Sequence, residues 1–156
     1  MAAAETWKDK WRSINSKFAT CESECITHYR SDQKCKDSIE AVVADIWNLK
    51  DWLAEDATIT VSKAEIDEFV KKAIHITACG DIETKQKHYR VVNRRHEEAE
   101  LVLKGNYDHP SGLPLVFGAT RRYRDGSGRD NYEDACELPR RAIKQWRGFL
   151  QDKGLL

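Results

Sequence analysis

An apolar stripe in residues 36–55 constrains the fold of this chain more than any other feature of its sequence. Apolar residues recur there every three or four positions, which is the spacing of one face of an α-helix. The stripe consists of Ile39, Val42, Val43, Ile46, Leu49, Trp52 and Leu53. The sequence therefore predicts a core helix over residues 36–55.

Two further segments before residue 90 show the same periodicity. A first helix is predicted over residues 4–29, and Ser62, three residues before Glu65, is a capping-box signal for a third helix that starts near residue 63. We expect the third helix to continue to about Tyr89, with Gly80 as either a kink or an end. The predicted inner face of the first helix consists of Trp7, Trp11, Ile14, Phe18, Cys21 and Cys25. The predicted inner face of the third helix consists of Ile66, Phe69, Val70, Ala73, Ile74 and Thr77.

The last third of the chain changes character. Strand-like runs separated by turn-forming residues predict a small β-hairpin with strands at about 100–107 and 114–124. Residues 131–152 return to a helical pattern that Gly154 stops, although Pro139 is an alternative start for this helix. The expected fold is mainly α, an antiparallel four-helix bundle with a small β-hairpin before the last helix. All of residues 1–156 belong to one domain in this interpretation.

The charges are balanced overall but unevenly distributed. The chain has 26 basic and 26 acidic residues, which argues against a protein devoted to indiscriminate nucleic-acid binding. Residues 1–84 hold 11 basic and 16 acidic residues, a net charge of −5, whereas residues 85–156 hold 15 and 10, a net charge of +5. The basic half is the candidate surface for an anionic ligand, or else the half against which the acidic half packs or dimerises.

The sequence contains neither a signal-peptide pattern nor an apolar run of membrane-spanning length, so we expect a cytoplasmic protein without a membrane partner. Its five cysteines are an odd number, which favours free thiols over a disulfide framework. Cys21, Cys25 and His28 have helical metal-ligand spacing, with Cys35 beyond them. The same cysteines also fit the buried stripe of the first helix, and we expect neither a metal nor another cofactor.

Residues 74–96 are the candidate functional stretch, because they hold three of the five histidines and a run of basic side chains. If one helix continues to about Tyr89, Asp81, Lys85 and His88 share a face at offsets of four and seven residues. A carboxylate, an amine and an imidazole placed together can orient a histidine for proton transfer or hold a phosphate. The same three residues can equally form a solvated stripe beside one buried imidazole.

Two segments of the chain resemble a group of mostly uncharacterised bacterial helical proteins. Leu49 to Leu53 match the segment L-K-D-W-[IL], and residues 81–88 resemble D-[IL]-x-N-G-x-K-H. The positions that match in the second segment are Asp81, Ile82, Lys87 and His88, whereas Thr84 and Lys85 stand where the group has Asn-Gly.

That group is in turn similar to the HEPN superfamily, helical domains that include RNA-cutting toxins and partners in phage-defence and toxin–antitoxin systems. HEPN nucleases carry an arginine followed by four to six residues and a histidine, and two copies face each other in a dimer. Arg90 and His96 fit that spacing in this chain. The resemblance implies metal-independent cleavage of RNA, with His88 or His96 as the acid or base and Lys87, Arg90 or Arg95 on the phosphate.

Two functional hypotheses therefore follow from the sequence. The first is an RNA-directed nuclease or RNA-binding protein that could act as a homodimer. Its catalytic candidates are Asp81, Lys87, His88, Arg90 and His96. Its candidate nucleic-acid-binding residues are Lys85, Arg94, Arg95, Arg121, Arg122 and Arg124. The second is a non-catalytic module that recognises a protein partner through the basic hairpin, with His88 hydrogen-bonded inside the helical bundle.

Overall fold

The computed structural model describes residues 4–26, 32–87, 99–104, 118–124, 127, 130–134 and 136–156. Within them the protein is mainly helical, with five helices and a three-stranded antiparallel sheet in the order β1-β2-β3. The helices are α1 (Trp7–Ile26), α2 (Asp32–Glu55), α3 (Lys63–Lys72), α4 (Ile74–Lys87) and α5 (Glu137–Asp152). The strands are β1 (Ala99–Lys104), β2 (Gly118–Arg124) and β3 (Asp130–Asp134).

The apolar stripe predicted for residues 36–55 lies on α2, the central helix of the protein. Ile39, Val42, Val43, Ile46 and Leu49 are completely buried. Helices α1, α3, α4 and α5 contact α2, and so do β1 and β2. The core is therefore arranged around one helix, and none of the described helices is long and apolar enough to cross a membrane.

The predicted fold class, a four-helix bundle with a two-stranded hairpin, is wrong. The predicted third helix is two helices, because the backbone of Ala73 adopts an extended conformation (φ −85°, ψ 90°) between α3 and α4. The N–H of Ile76 then donates to Oε1 of Gln145 at 3.2 Å, so α5 supplies an acceptor for the start of α4. Ile74, predicted to be buried, is 46% exposed at this break.

The sheet is the second correction to the predicted fold. The predicted hairpin had strands at 100–107 and 114–124, whereas the sheet has a third strand, β3, within the predicted final helix. That helix, α5, starts at Glu137 instead of residue 131. Pro139 lies in its first turn, where the backbone N–H that proline lacks has no intrahelical acceptor.

Several local predictions are confirmed. Ser62 and Glu65 form a capping box, in which the N–H of Glu65 donates to Oγ of Ser62 at 3.2 Å and the N–H of Ser62 donates to Oε2 of Glu65 at 2.8 Å. Gly154 follows α5 with φ +69°, a conformation that favours glycine. Leu138, Ile143 and Trp146 are buried as predicted.

Helix α4 continues through Gly80, and the predicted continuation of the helix beyond this residue is confirmed. Gly80 lies inside α4, and a Cβ atom built on it would be 2.6 Å from Cδ2 of Trp47 on α2. The indole of Trp47 thus occupies the space of a side chain at residue 80. Only glycine allows α2 and α4 to approach this closely.

We expect Gly80→Ala to destabilise the protein by about 1–3 kcal/mol, because the indole ring or one of the two helices must move to admit a methyl group. Gly148→Ala is the matched control, since no atom lies within 4 Å of a Cβ at this position of α5. The control should be neutral or stabilising by up to about 1 kcal/mol, the helix preference of alanine over glycine. Urea unfolding of the two variants measures both effects, and equal midpoints would contradict the packing described for Trp47.

Candidate functional site

The structure places Asp81 inside the protein instead of on a ligand-facing surface. Asp81 is 2% exposed and Glu83 is 6% exposed. Both belong to α4, which packs against α2, α5 and β1. Ionised carboxylates are costly to bury unless they are compensated, so both side chains need interactions inside the protein, and each has at least one.

Two lysines of α4, Lys85 and Lys87, are spaced from the two buried acids as ion-pairing partners on a helix would be. Lys85 follows Asp81 by four residues and Lys87 follows Glu83 by four, the spacing and the order of acid before base that favour pairing along a helix. Ion pairing along the helix is therefore an alternative to the ligand-binding roles predicted for Lys85 and Lys87.

The remaining members of the predicted catalytic group fall in a part of the chain that the structure leaves undescribed. His88, Arg90 and His96 lie outside the described residues, as do Arg94 and Arg95. Their expected convergence with Asp81 therefore stays a prediction. The structure describes α4 up to Lys87, directly before these residues in the chain, and α4 contacts β1.

The predicted phosphate-binding arginines lie on the central strand, where acids stand opposite each of them. The register of β1 and β2 pairs Arg122 with Glu100. The register of β2 and β3 pairs Arg121 with Glu133 and Arg124 with Asp130. Opposite charges at directly paired positions stabilise antiparallel sheets, so the sheet itself provides partners for this basic strand.

The charges of the sheet cancel when the strands are added together. Strand β2 contributes three arginines (+3), and β3 contributes Asp130, Glu133 and Asp134 (−3). In β1, Glu100 balances Lys104. The net charge of +5 in residues 85–156 therefore does not come from the strands, and the sheet is a weaker anion-binding candidate than its arginines suggested.

Sequence reasoning missed the acidic strand β3 because its residues were assigned to the last helix. Its five residues include Asp130, Glu133 and Asp134, and in the described sheet it has a neighbouring strand on one side only. A signal was present in the turn-forming run Asp125-Gly126-Ser127-Gly128, which precedes the strand as the turn of a hairpin would.

The second missed feature is a cleft where three distant parts of the chain meet. It has a volume of about 470 Å³ and lies between the start of α1, the loop that joins α2 to α3, and the residues after α5. The lining residues are Thr6, Trp7, Lys8, Asp56, Thr58, Ile59, Thr60, Lys153, Gly154 and Leu155. This cleft has no counterpart among the sequence predictions, since no short motif marks it.

Two carboxylates stabilise the walls of this cleft. Asp56 accepts hydrogen bonds from the N–H of Thr58 at 2.8 Å and from its hydroxyl at 2.6 Å, and these bonds hold the pKa of Asp56 below its usual value. Glu65 accepts from the N–H of Ser62 and from Nζ of Lys153 at 3.3 Å, and both interactions lower its pKa. Glu65 thus links the start of α3 to the end of α5.

The cysteine cluster proposed as a possible metal site is only partly visible. Cys21 is buried in α1, and its thiol is free. The side chains of Cys25 and Cys35, together with all of His28, lie outside the described residues. In the described part of the chain, no group of three or more His, Cys, Asp or Glu residues is placed to hold a metal ion.

Comparisons with known proteins add no functional information. No family model, no curated protein and no solved structure matches this chain.

We expect the Glu65 carboxylate to stabilise the protein at neutral pH and to lose this effect in acid. Its folded-state pKa is lower than the usual value of 4.5, so the stabilisation is fully present above that pH and declines as the pH falls through the folded-state pKa. Glu65→Gln should therefore lower the melting temperature at neutral pH and flatten its decrease in acid. Glu55→Gln, at the exposed end of α2, is the control, and parallel melting curves for the two variants would contradict this assignment.

Proposed function

We propose that this chain is a non-catalytic interaction module that binds a basic, extended segment of a protein partner along β3. The proposal rests mainly on one observation: an acidic strand lies at the edge of the described sheet, with β2 on one side only. An edge strand presents backbone N–H and C=O groups on its outer side, and a peptide can add to them as a further strand. The position of β3 therefore suits recognition through the backbone.

We infer the charge of the partner from β2, the strand that already pairs with β3. This strand places Arg121 opposite Glu133 and Arg124 opposite Asp130. Asp130 and Asp134 share one face of β3, so an added strand with arginine or lysine opposite these two positions would meet both acids from the other side. Each favourable cross-strand pair contributes about 0.2–1 kcal/mol, so two such pairs favour a basic segment over a neutral one.

The same register makes anion binding by the sheet a weaker proposal than peptide binding along β3. To bind phosphate, the arginines of β2 would have to contact the ligand instead of the acidic residues that stand opposite them in the sheet. Asp134 differs from the other two acids of β3, because it stands opposite Thr120 rather than an arginine. It is therefore the acid that a partner can use without competing with β2.

We also propose that the protein is located in the cytoplasm. The side chains of three of the five cysteines are described, and each is a buried free thiol, as a reducing compartment would maintain them.

We expect a synthetic peptide with the sequence of β2 and arginine in place of its threonine, Gly-Ala-Arg-Arg-Arg-Tyr-Arg, to bind the intact protein in a fluorescence-anisotropy titration, because the β2 register places this added arginine opposite Asp134. The same peptide with glutamate in place of the arginines should not bind. Asp134→Lys should weaken binding of the basic peptide because it reverses one charge of β3, whereas Asp152→Lys, which reverses an exposed acid at the end of α5, should not. Equal binding of the two peptides, or no effect of Asp134→Lys, would refute the proposal.

A second candidate is the HEPN-like ribonuclease, which the spacing of Arg90 and His96 favours. In this reading a histidine moves the proton of a ribose 2′-OH, and Arg90, Arg95 or Lys87 stabilises the charge that develops on phosphorus. Lys85 and Lys87 at the end of α4 precede Arg90, Arg94 and Arg95 directly in the chain. A dimer would bring two such segments together, as the resemblance implies.

Labelled single-stranded RNA, titrated at two salt concentrations and then run on a gel, tests this candidate. If the protein cuts RNA, His88→Ala or His96→Ala should abolish cleavage and leave the fold intact, while His109→Ala should not affect it. If the protein only binds RNA, the histidine variants should bind normally, and the double variant Arg121→Glu and Arg122→Glu should bind more weakly with a shallower salt dependence. Wild-type protein that neither binds nor cuts RNA at low salt eliminates the candidate and leaves the β3 proposal unaffected.

A further inference from the structure

Hydrogen bonds fix two walls of the cleft at the end of α5, and the third wall is held by packing in the core. Asp56 holds the α2–α3 loop through both donors of Thr58. After α5, the N–H of Leu155 donates to the carbonyl of Leu150 at 2.8 Å, which secures the turn at Gly154. Trp7, on the third wall, is 2% exposed and belongs to the core. The cleft is therefore a stable concavity of about 470 Å³, a size typical of small-molecule sites.

The hydrogen-bonding capacity of the cleft is biased toward donors. Asp56 already accepts two hydrogen bonds from Thr58, and the hydroxyl of Thr6 donates to Asp9 at 3.1 Å. The ammonium groups of Lys8 and Lys153 each have three donors. Lys153 directs one of them to Glu65 at 3.3 Å, and within the described residues Lys8 forms no ion pair.

The charge of the cleft agrees with its donors. Its lining contains two lysines and one aspartate, which gives a net charge of +1. The apolar part of the lining consists of Trp7, Ile59 and Leu155. A ligand that satisfies both parts has one anionic group for the lysines and an apolar body for the rest of the cleft.

We propose that this cleft binds a small organic anion, in which a carboxylate or phosphate group contacts Lys8 and Lys153 and an apolar body lies against Trp7, Ile59 and Leu155. The ammonium of Lys8 is the principal contact because it forms no ion pair within the described structure, although its charge also acts on the nearby Asp56 carboxylate. Lys153 contributes a second ammonium from the segment after α5. The site uses none of the residues of β3 and none of residues 81–96, so it is independent of both functions proposed above.

Four probes that share an aromatic body but differ in charge test this inference on the full chain. Benzoate and phenyl phosphate are anions, benzyl alcohol is neutral and benzylamine is a cation. In amide-resolved NMR titrations, the two anions should shift the signals of Thr60, Gly154 and Leu155 with saturation at millimolar concentrations, and the other two probes should not. The relative affinity of benzoate and phenyl phosphate then identifies which anionic group the site prefers.

Lys8→Glu should weaken binding of the preferred anion at least about tenfold, since it replaces a charge-assisted contact with a repulsive one. Lys8→Gln removes the charge without reversing it and should also weaken binding, which guards against a folding defect in the first variant. Lys144→Glu changes an exposed lysine of α5 outside the cleft and should leave the affinity unchanged. Equal shifts from benzoate and benzylamine, no shifts at all, or equal losses in Lys8→Gln and Lys144→Glu would each overturn the proposal.

Discussion

A single buried hydrogen bond determines how the last helix joins the rest of the protein. Nε1 of Trp146 donates to the carbonyl oxygen of Ile46 at 2.9 Å, deep in the core between α5 and α2. A buried indole N–H without an acceptor would cost about 1–3 kcal/mol, so this bond selects one position of α5 along α2. The ring of Trp146 also lies 5.3 Å from that of Phe69, which brings α3 into the same arrangement. Its neighbour Gln145 reaches the start of α4. One short segment of α5 thus determines the positions of three other helices.

The helices could be predicted from the sequence where a local pattern determines them. The apolar stripe of α2, the capping box of α3 and the glycine after α5 all depend on residues within a few positions of one another. The break at Ala73 could not be predicted, because alanine is a strong helix former and the acceptor for the new helix comes from Gln145. The packing role of Gly80 could not be predicted for a related reason. Its lack of a side chain is needed by Trp47, which is 33 positions earlier in the sequence.

The sheet shows what charge composition alone could not predict about the candidate site. Counting arginines marked residues 121–124 as an anion-binding surface, but the count contains no information about which residues stand opposite them. The pairing of Arg121 with Glu133 and of Arg122 with Glu100 depends on strand register, which becomes known only with the fold. The burial of Asp81 likewise follows from the packing of α4 and not from its helical spacing. The cleft combines Lys8 with Lys153, two residues that only the complete fold brings together.

The dependence of the core on α5 also affects how the protein folds as it is synthesised. The contacts between α1 and α2 join segments that are close in the chain, and they can form early. The partners of Trp146 and Gln145 are about 100 and 69 residues away, so these contacts close large loops and form late. Until α5 emerges from the ribosome, the apolar faces of α2 and α4 that it covers remain exposed to solvent. A nascent chain at this stage is a natural substrate for chaperones, and the arrival of the last helix is the step that completes the core.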